Sequence, residues 1–143
     1  MKVLAVSISE RKGIKKHPVE YIELIEGYGI DGDAHAGKWH RQVSLLGVES
    51  MEVMKEKLPT LSAGDFAENI LTEGIVLYKL PIGTILKVGD CILEVTQIGK
   101  ECHLGCEIRH VVGDCVMPRE GIFTKVIKGG KIKADDKIEI VEK

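Results

Sequence analysis

Apolar and polar residues alternate over short stretches of this chain, and glycines separate the stretches. A period of two puts successive side chains on opposite faces of an extended backbone, so the pattern predicts strands. They are expected over Lys2–Ser9, Val19–Ile25, Gln42–Leu46, Thr84–Val88, Cys91–Ile98, Gly121–Ile127 and Lys137–Val141. Gly89-Asp90 reads as a hairpin turn, and Gly129-Gly130 as a turn between the last two strands. Two stretches have helical spacing instead. In Glu49–Leu58 the apolar residues are Met51, Met54 and Leu58, and Pro59 ends the run. In His103–Val112 they are Leu104, Ile108, Val111 and Val112. Many short strands at this spacing predict a mostly β fold, a compact closed or partly closed β-barrel with a few short helices. One internal echo is present: Gly83–Asp90 resembles Gly129–Asp136, with Asp135 where the first copy has Gly89.

The length of 143 residues predicts a single domain spanning 1–143, large enough to bury a core without covalent staples. With 4% aromatic residues, base stacking is not the expected activity. A formal net charge of -2 gives no broad attraction for nucleic acid or an anionic membrane, so neither is an expected partner. Lys2 is followed by only a short apolar run, unlike a signal peptide, and no stretch approaches a membrane span of roughly 18 apolar residues. A cytoplasmic location is expected, where the cysteines Cys91, Cys102, Cys106 and Cys115 stay reduced.

The chemistry concentrates in Gly99-Lys100-Glu101-Cys102-His103-Leu104-Gly105-Cys106, with His110 and Cys115 farther on. If a helix starts near His103, Cys102 lies at its N-terminus. Unpaired N–H groups there favour a thiolate, and Lys100 and His103 add positive charge. A thiolate attacks a persulfide sulfur or binds a metal; the plainer reading is a small residue packed at a strand end. Cys102, Cys106, His110 and Cys115 form the alternative metal set, since Cys-x3-Cys spacing occurs in zinc sites. There is no second clean pair, so no firm metal site is assigned and no tightly bound metal is expected in the isolated chain. A Cys102–Cys106 disulfide is a further redox possibility.

A second concentration runs from Gly29 to Arg41 and includes Asp31, Asp33, His35, His40 and Arg41. It resembles the start of a calcium loop but lacks the full acidic spacing and the closing glutamate. Ordinary solvated carboxylates are one reading. The other is a site loop in which His35 titrates, Arg41 forks onto an anion, and Asp31 and Asp33 complete the binding set. Arg119, after the rigid Pro118, is a further anion contact or a surface arginine. Gly64-Asp65-Phe66-Ala67-Glu68-Asn69-Ile70 reads as structural, with Phe66 and Ile70 inward and Glu68 and Asn69 capping or bridging loops.

Taken in order, several segments resemble the MOSC domain family, named after the C-terminal domain of molybdenum-cofactor sulfurase. They are Gly29–His35, Gln42–Leu46, Gly64–Ile70, Leu80–Thr84, Val88–Asp90, Leu93–Gln97 leading to Cys102, and Gly121–Val126. The chain is similar to the short stand-alone bacterial-type members. The resemblance implies a compact β-barrel and a cysteine after the long central strand, by position Cys102, that holds sulfur as a persulfide. It implies a pyridoxal-phosphate cysteine desulfurase as donor, and molybdenum-cofactor enzymes or biosynthesis proteins as acceptors. It also implies a possible molybdenum cofactor, with Arg41, Asp31, Asp33, Arg119 and Lys100 as the binding set. His103 and His35 would then attend the sulfur of Cys102. Enzymatic action on a small substrate through that cofactor is a third reading, beside the carrier and the zinc-stabilised module.

Overall fold

The computed structural model describes residues 1–11, 14–56, 58–99 and 120–142. In chain order the elements are β1 (Lys2–Ile8), β2 (His17–Val19), β3 (Tyr21–Ile25), β4 (Gly29–Ile30), β5 (Val43–Gly47), α1 (Val48–Lys55) and β6 (Ile70–Glu73). After a turn of 3-10 helix at Leu77–Lys79 come β7 (Ile85–Val88), β8 (Cys91–Ile98), β9 (Ile122–Lys128), β10 (Gly130–Lys133) and β11 (Ile138–Glu142). The strands expected from alternation are present. The expected helix at His103–Val112 lies outside the described residues.

Two departures have local causes. The stretch Val19–Ile25 is two strands broken at Glu20, because the chain changes sheets there: His17–Val19 pairs with β1, while Tyr21–Ile25 pairs with β10 and β4. Pro18 is tolerated because β2 is an edge strand and loses no central ladder bond. Gly129-Gly130 is not a simple turn. Gly130 opens β10, and the turn comes later, where Asp135 adopts φ 74 in the left-handed region. Gly89 has φ 56 at the matching place in the echo, so aspartate there performs the turn that glycine performs earlier.

The main sheet has the order β11-β7-β8-β9-β5-β6-β1-β2, and a second sheet has the order β10-β3-β4. Pairing is antiparallel except between β5 and β6. The main sheet is not closed into a barrel, and this corrects the closed form of the expectation. Its ends meet at one bridge, Lys2 to Lys137, flanked by Val3 N–H donating to Asp136 O (2.8 Å) and Asp135 N–H to Val3 O (2.7 Å). Full closure would need a continuous β1–β11 ladder. The C-terminal half of β1 pairs instead with β2, at Val6, Ser7 and Ile8. The fold is therefore a partly closed β structure.

Strand β5 is buried along its whole length. Val43 and Leu45 enter the main core with Val3, Ile30, Ile70, Leu93, Ile122 and Ile132. Leu46 turns the other way, into a smaller core with Met51 and Met54 of α1, Phe66, Leu71 and Phe123. Burying Met51 and Met54 stabilises α1 by about 1.5–3 kcal/mol per side chain, which matters because Gly47 supplies no side-chain cap.

The loop before β6 ties strands together. Asn69 Oδ1 accepts from Ser44 N–H (3.0 Å) and Ser44 Oγ–H (3.1 Å), and its Nδ2 donates to Ser7 O (3.1 Å). One side chain thus joins β1, β5 and β6. Glu68, fully buried, accepts the N–H groups of Gly64 (2.7 Å) and Phe66 (3.2 Å). Desolvation outweighs these bonds and raises its pKa from 4.5 to about 7. Gly64 has φ +90, and a Cβ on it would lie 2.1 Å from the carbonyl oxygen of Lys16.

Gly64→Ala is expected to cost about 3 kcal/mol or more in urea unfolding, through both the clash and the φ. Glu68 binds its proton more tightly folded than unfolded. Its contribution is fully present below about pH 4.5 and is lost as pH rises through about 7, a change on the order of 3 kcal/mol. Unfolding free energies measured between pH 4.5 and 7.5 are expected to fall across this window in the wild type. A Glu68→Gln variant is expected to show a flatter profile.

Candidate functional site

The loop after β4 and the segment before β2 build a buried polar cluster around Lys16. Its ammonium is buried and donates to Asp33 Oδ1 (2.8 Å), Ser9 Oγ (3.1 Å) and His35 Nδ1 (2.9 Å). The Ser9 hydroxyl donates onward to Arg11 O (3.1 Å), so it accepts from Lys16. The Asp33 carboxylate also accepts Ser9 N–H (3.0 Å) and His35 N–H (3.2 Å). A lysine ammonium has three protons and no lone pair. As a group that only donates, it makes His35 Nδ1 the acceptor of this pair.

Trp39 connects this cluster to a second one. Its Nε1–H donates to His35 O (2.8 Å), and its ring lies parallel to His35 at 6.5 Å and edge-on to His40 at 6.0 Å. The Arg41 guanidinium sits 5.9 Å from the Trp39 ring and 5.3 Å from that of Phe123, a cation held between two aromatic surfaces. Arg41 Nε–H donates to Gln97 Oε1 (3.1 Å), and Gln97 Nε2 donates to Gly99 O (2.7 Å). These two bonds fix which way the amide faces. His40 Nε2, 2.8 Å from the same Oε1, is therefore a donor. Thr96 Oγ1 donates to His40 O and lies 3.1 Å from Phe123 O, which pins this segment to β8 and β9.

Of the site residues expected from sequence, the structure brings His35, Asp33, His40 and Arg41 into one contiguous cluster. Asp33 differs in kind from its expected role, because its oxygens are occupied by Lys16, Ser9 and His35. Asp31 is exposed, and its N–H donates to Glu23 O (2.9 Å). Lys100, Cys102, His103, Cys106, His110, Cys115 and Arg119 lie outside the described residues. Among the described residues no group of His, Cys, Asp and Glu could hold a metal ion. Cys91 is buried, and burial, then Asp90 and Asp136, push its thiol up to about 11, so it stays protonated and unreactive at neutral pH.

Sequence reasoning missed Ser9, Lys16, Trp39, Gln97 and Phe123. Lys16 stands beside Lys15 in a basic run, and nothing local separates the buried lysine from its exposed neighbour. Gln97 had one available signal, a polar residue near the end of a strand that leads into the thiol segment.

Residues 32–139 match the model of the MOSC domain. The chain belongs to the MOSC domain family. No curated protein sequence matches it. Among solved structures, the YuaD protein of Bacillus subtilis superposes with a TM-score of 0.79 at 18% identity, covering 96% of this chain and 93% of that one. YiiM of Geobacillus stearothermophilus gives 0.73 at 17% identity over 99% and 75% of the two chains. YiiM of Escherichia coli gives 0.69 at 21% identity over 100% and 71%. These likenesses support the MOSC-like fold. Within this MOSC domain protein, the matched segment starts after Ser9 and Lys16, so the buried cation comes from outside it.

Lys16→Met is expected to destabilise the protein by about 3–5 kcal/mol, because it leaves the Asp33 carboxylate buried without its counter-ion. Adding Asp33→Asn is expected to recover part of that loss. Urea unfolding of the two single variants and the double variant measures the coupling.

Proposed function

We propose that this MOSC domain protein serves molybdenum-cofactor metabolism, with Cys102 carrying sulfane sulfur and the Arg41 cluster receiving an anionic group. The observation that carries the proposal is the placement of Arg41. Its guanidinium is fixed through Nε and two aromatic faces, while its terminal nitrogens make no hydrogen bond to a described residue. That preorganised fork fits a phosphate of the kind a pterin cofactor bears. His40 and Trp39 beside it offer a donor and a flat surface. Gln97 and Gly99, at the same end of β8, lead directly to the thiol segment. Cys102 follows Gly99 by three positions in the sequence.

In the carrier step the Cys102 thiolate attacks the outer sulfur of a persulfide on a pyridoxal-phosphate cysteine desulfurase. A sulfur–sulfur bond forms at Cys102, and the donor cysteine leaves as its thiolate. A nucleophilic acceptor then attacks the outer sulfur and Cys102 departs as thiolate, so no external oxidant or reductant is required. Lys100 and His103 stabilise the thiolate by charge. His35 is held in place by Lys16 in the same loop cluster. Arg119 adds a second anion contact, while Asp33 positions Lys16 and Asp31 stays at the loop surface. When bound, the cofactor supplies a metal–sulfur centre; the chain's residues bind and orient it.

Incubation with a cysteine desulfurase and cysteine, followed by intact-mass measurement, tests the carrier role. One added sulfur is expected on the wild type and on Cys106→Ser and Cys115→Ser, and none on Cys102→Ser. An equal adduct on Cys102→Ser, or none on the wild type, rejects it.

A further inference from the structure

By simple alternation Gln97 belongs in the core. Cys91, Leu93 and Val95 of β8 all enter the main core, and Gln97 is the next residue in that series. The strand does not keep its count. Val95 pairs with Thr124 of β9, yet Gln97 pairs with Phe123, so two steps on β8 match one on β9. This is a β-bulge at Thr96, and it turns Gln97 onto the opposite face of the sheet. Residues paired in register share a face. Thr124 also pairs with Val43 of the main core, whereas Phe123 belongs to the smaller core with Leu46. Gln97 thus stands beside Phe123, on the face where the Arg41 guanidinium lies 5.3 Å from the Phe123 ring. Thr96, the extra residue, donates to His40 O and so ties the bulge to the segment that carries Arg41.

The amide delivered there is fully engaged at its oxygen. The two lone pairs take Arg41 Nε–H (3.1 Å) and His40 Nε2–H (2.8 Å). Being uncharged, the amide holds both donors without cancelling the guanidinium charge. An arginine grips an oxyanion along one of two edges, Nε with one Nη or the two Nη together. With Nε occupied by Gln97, the end-on pair is left for an anion. Two parallel N–H groups suit an anion that presents two oxygens, and give a spherical halide no such advantage. A free arginine also gives up rotamer freedom when it binds, and one already ordered does not.

We propose that Gln97 is the positioning residue that sets the specificity of this site, holding Arg41 end-on toward tetrahedral oxyanions in preference to halides. The bulge at Thr96 is the device that brings it there. The proposal rests on the reading of Arg41 as an anion receptor and is independent of the sulfur step at Cys102.

Trp39 is the chain's only tryptophan and lies 5.9 Å from the Arg41 guanidinium, so its fluorescence reports the site. Inorganic phosphate and chloride are titrated separately at low ionic strength. The wild type is expected to bind phosphate saturably and at least about tenfold more tightly than chloride. Gln97→Met, similar in length and uncharged, is expected to bind phosphate about tenfold more weakly and chloride within about twofold of the wild type. Gln97→Glu keeps the acceptor but neutralises Arg41, and is expected to lose both anions. In heteronuclear NMR spectra, an Arg41 Nε–H signal protected from exchange is expected in the wild type and absent from folded Gln97→Met. Failure of the wild type to bind phosphate, or unchanged binding in Arg41→Gln, removes the anion-receptor reading itself. With that reading intact, a folded Gln97→Met protein that keeps the wild-type phosphate preference, or loses phosphate and chloride equally, overturns the role of Gln97. Retained phosphate binding by Gln97→Glu overturns it as well.

Discussion

A lysine ammonium cannot enter a protein interior without acceptors for its charge and its protons, and the loop end of this molecule is arranged around one that has. Lys16 is 3% exposed. Its ammonium gathers Ser9 at the end of β1, Asp33 in the loop after β4, and His35 beyond it. Its backbone is bound as well, since Lys16 N–H donates to Gly64 O (2.9 Å) and its own carbonyl lies against Gly64. Three loops from distant parts of the sequence thus converge on one residue. A buried pair of this kind adds little net stability over an apolar replacement, while loss of one partner is costly. Its consequence is positional: it fixes the imidazole of His35, and through Trp39 it fixes the surroundings of Arg41.

The β architecture was legible because the alternation is strong where strands are half-buried. Cys91–Ile98 has the bounds expected of it. Legibility failed where tertiary pairing decided the matter. Gly29–Ile30 is too short to show a period, and Gly130–Lys133 is a strand because β3 offers an edge to pair with. Ile70–Glu73 was hidden for another reason: with Ile70, Leu71 and Thr72 all buried, the strand has no polar face to alternate with. The open seam between β1 and β11 depends on β2 competing for one strand edge, which no local pattern encodes.

The candidate site divides in the same way. Arg41, His40 and His35 stood out because several titratable side chains crowd one glycine-rich loop. Asp33 was visible as a residue but not in its role, since the same carboxylate serves a ligand when exposed and a lysine when buried. Lys16 and Gln97 acquire meaning only from contacts across 17 and 57 positions, to Asp33 and His40 respectively. Membership in the MOSC domain family accounts for the fold from Gly32 onward, whereas the lysine that organises its loops is supplied by the preceding segment.

The register pair Ile98 and Ile122 and the bond from Gly99 N–H to Gly121 O (2.7 Å) join the two strand ends between which the sequence carries Cys102. The chain leaves and rejoins the framework at a single doorway. Gly99 and Gly121 are thus clamped side by side at the ends of β8 and β9. The Gln97 amide that holds Arg41 and His40 also grips the carbonyl of Gly99, so one side chain ties the anchor point of the thiol segment to the cationic cluster.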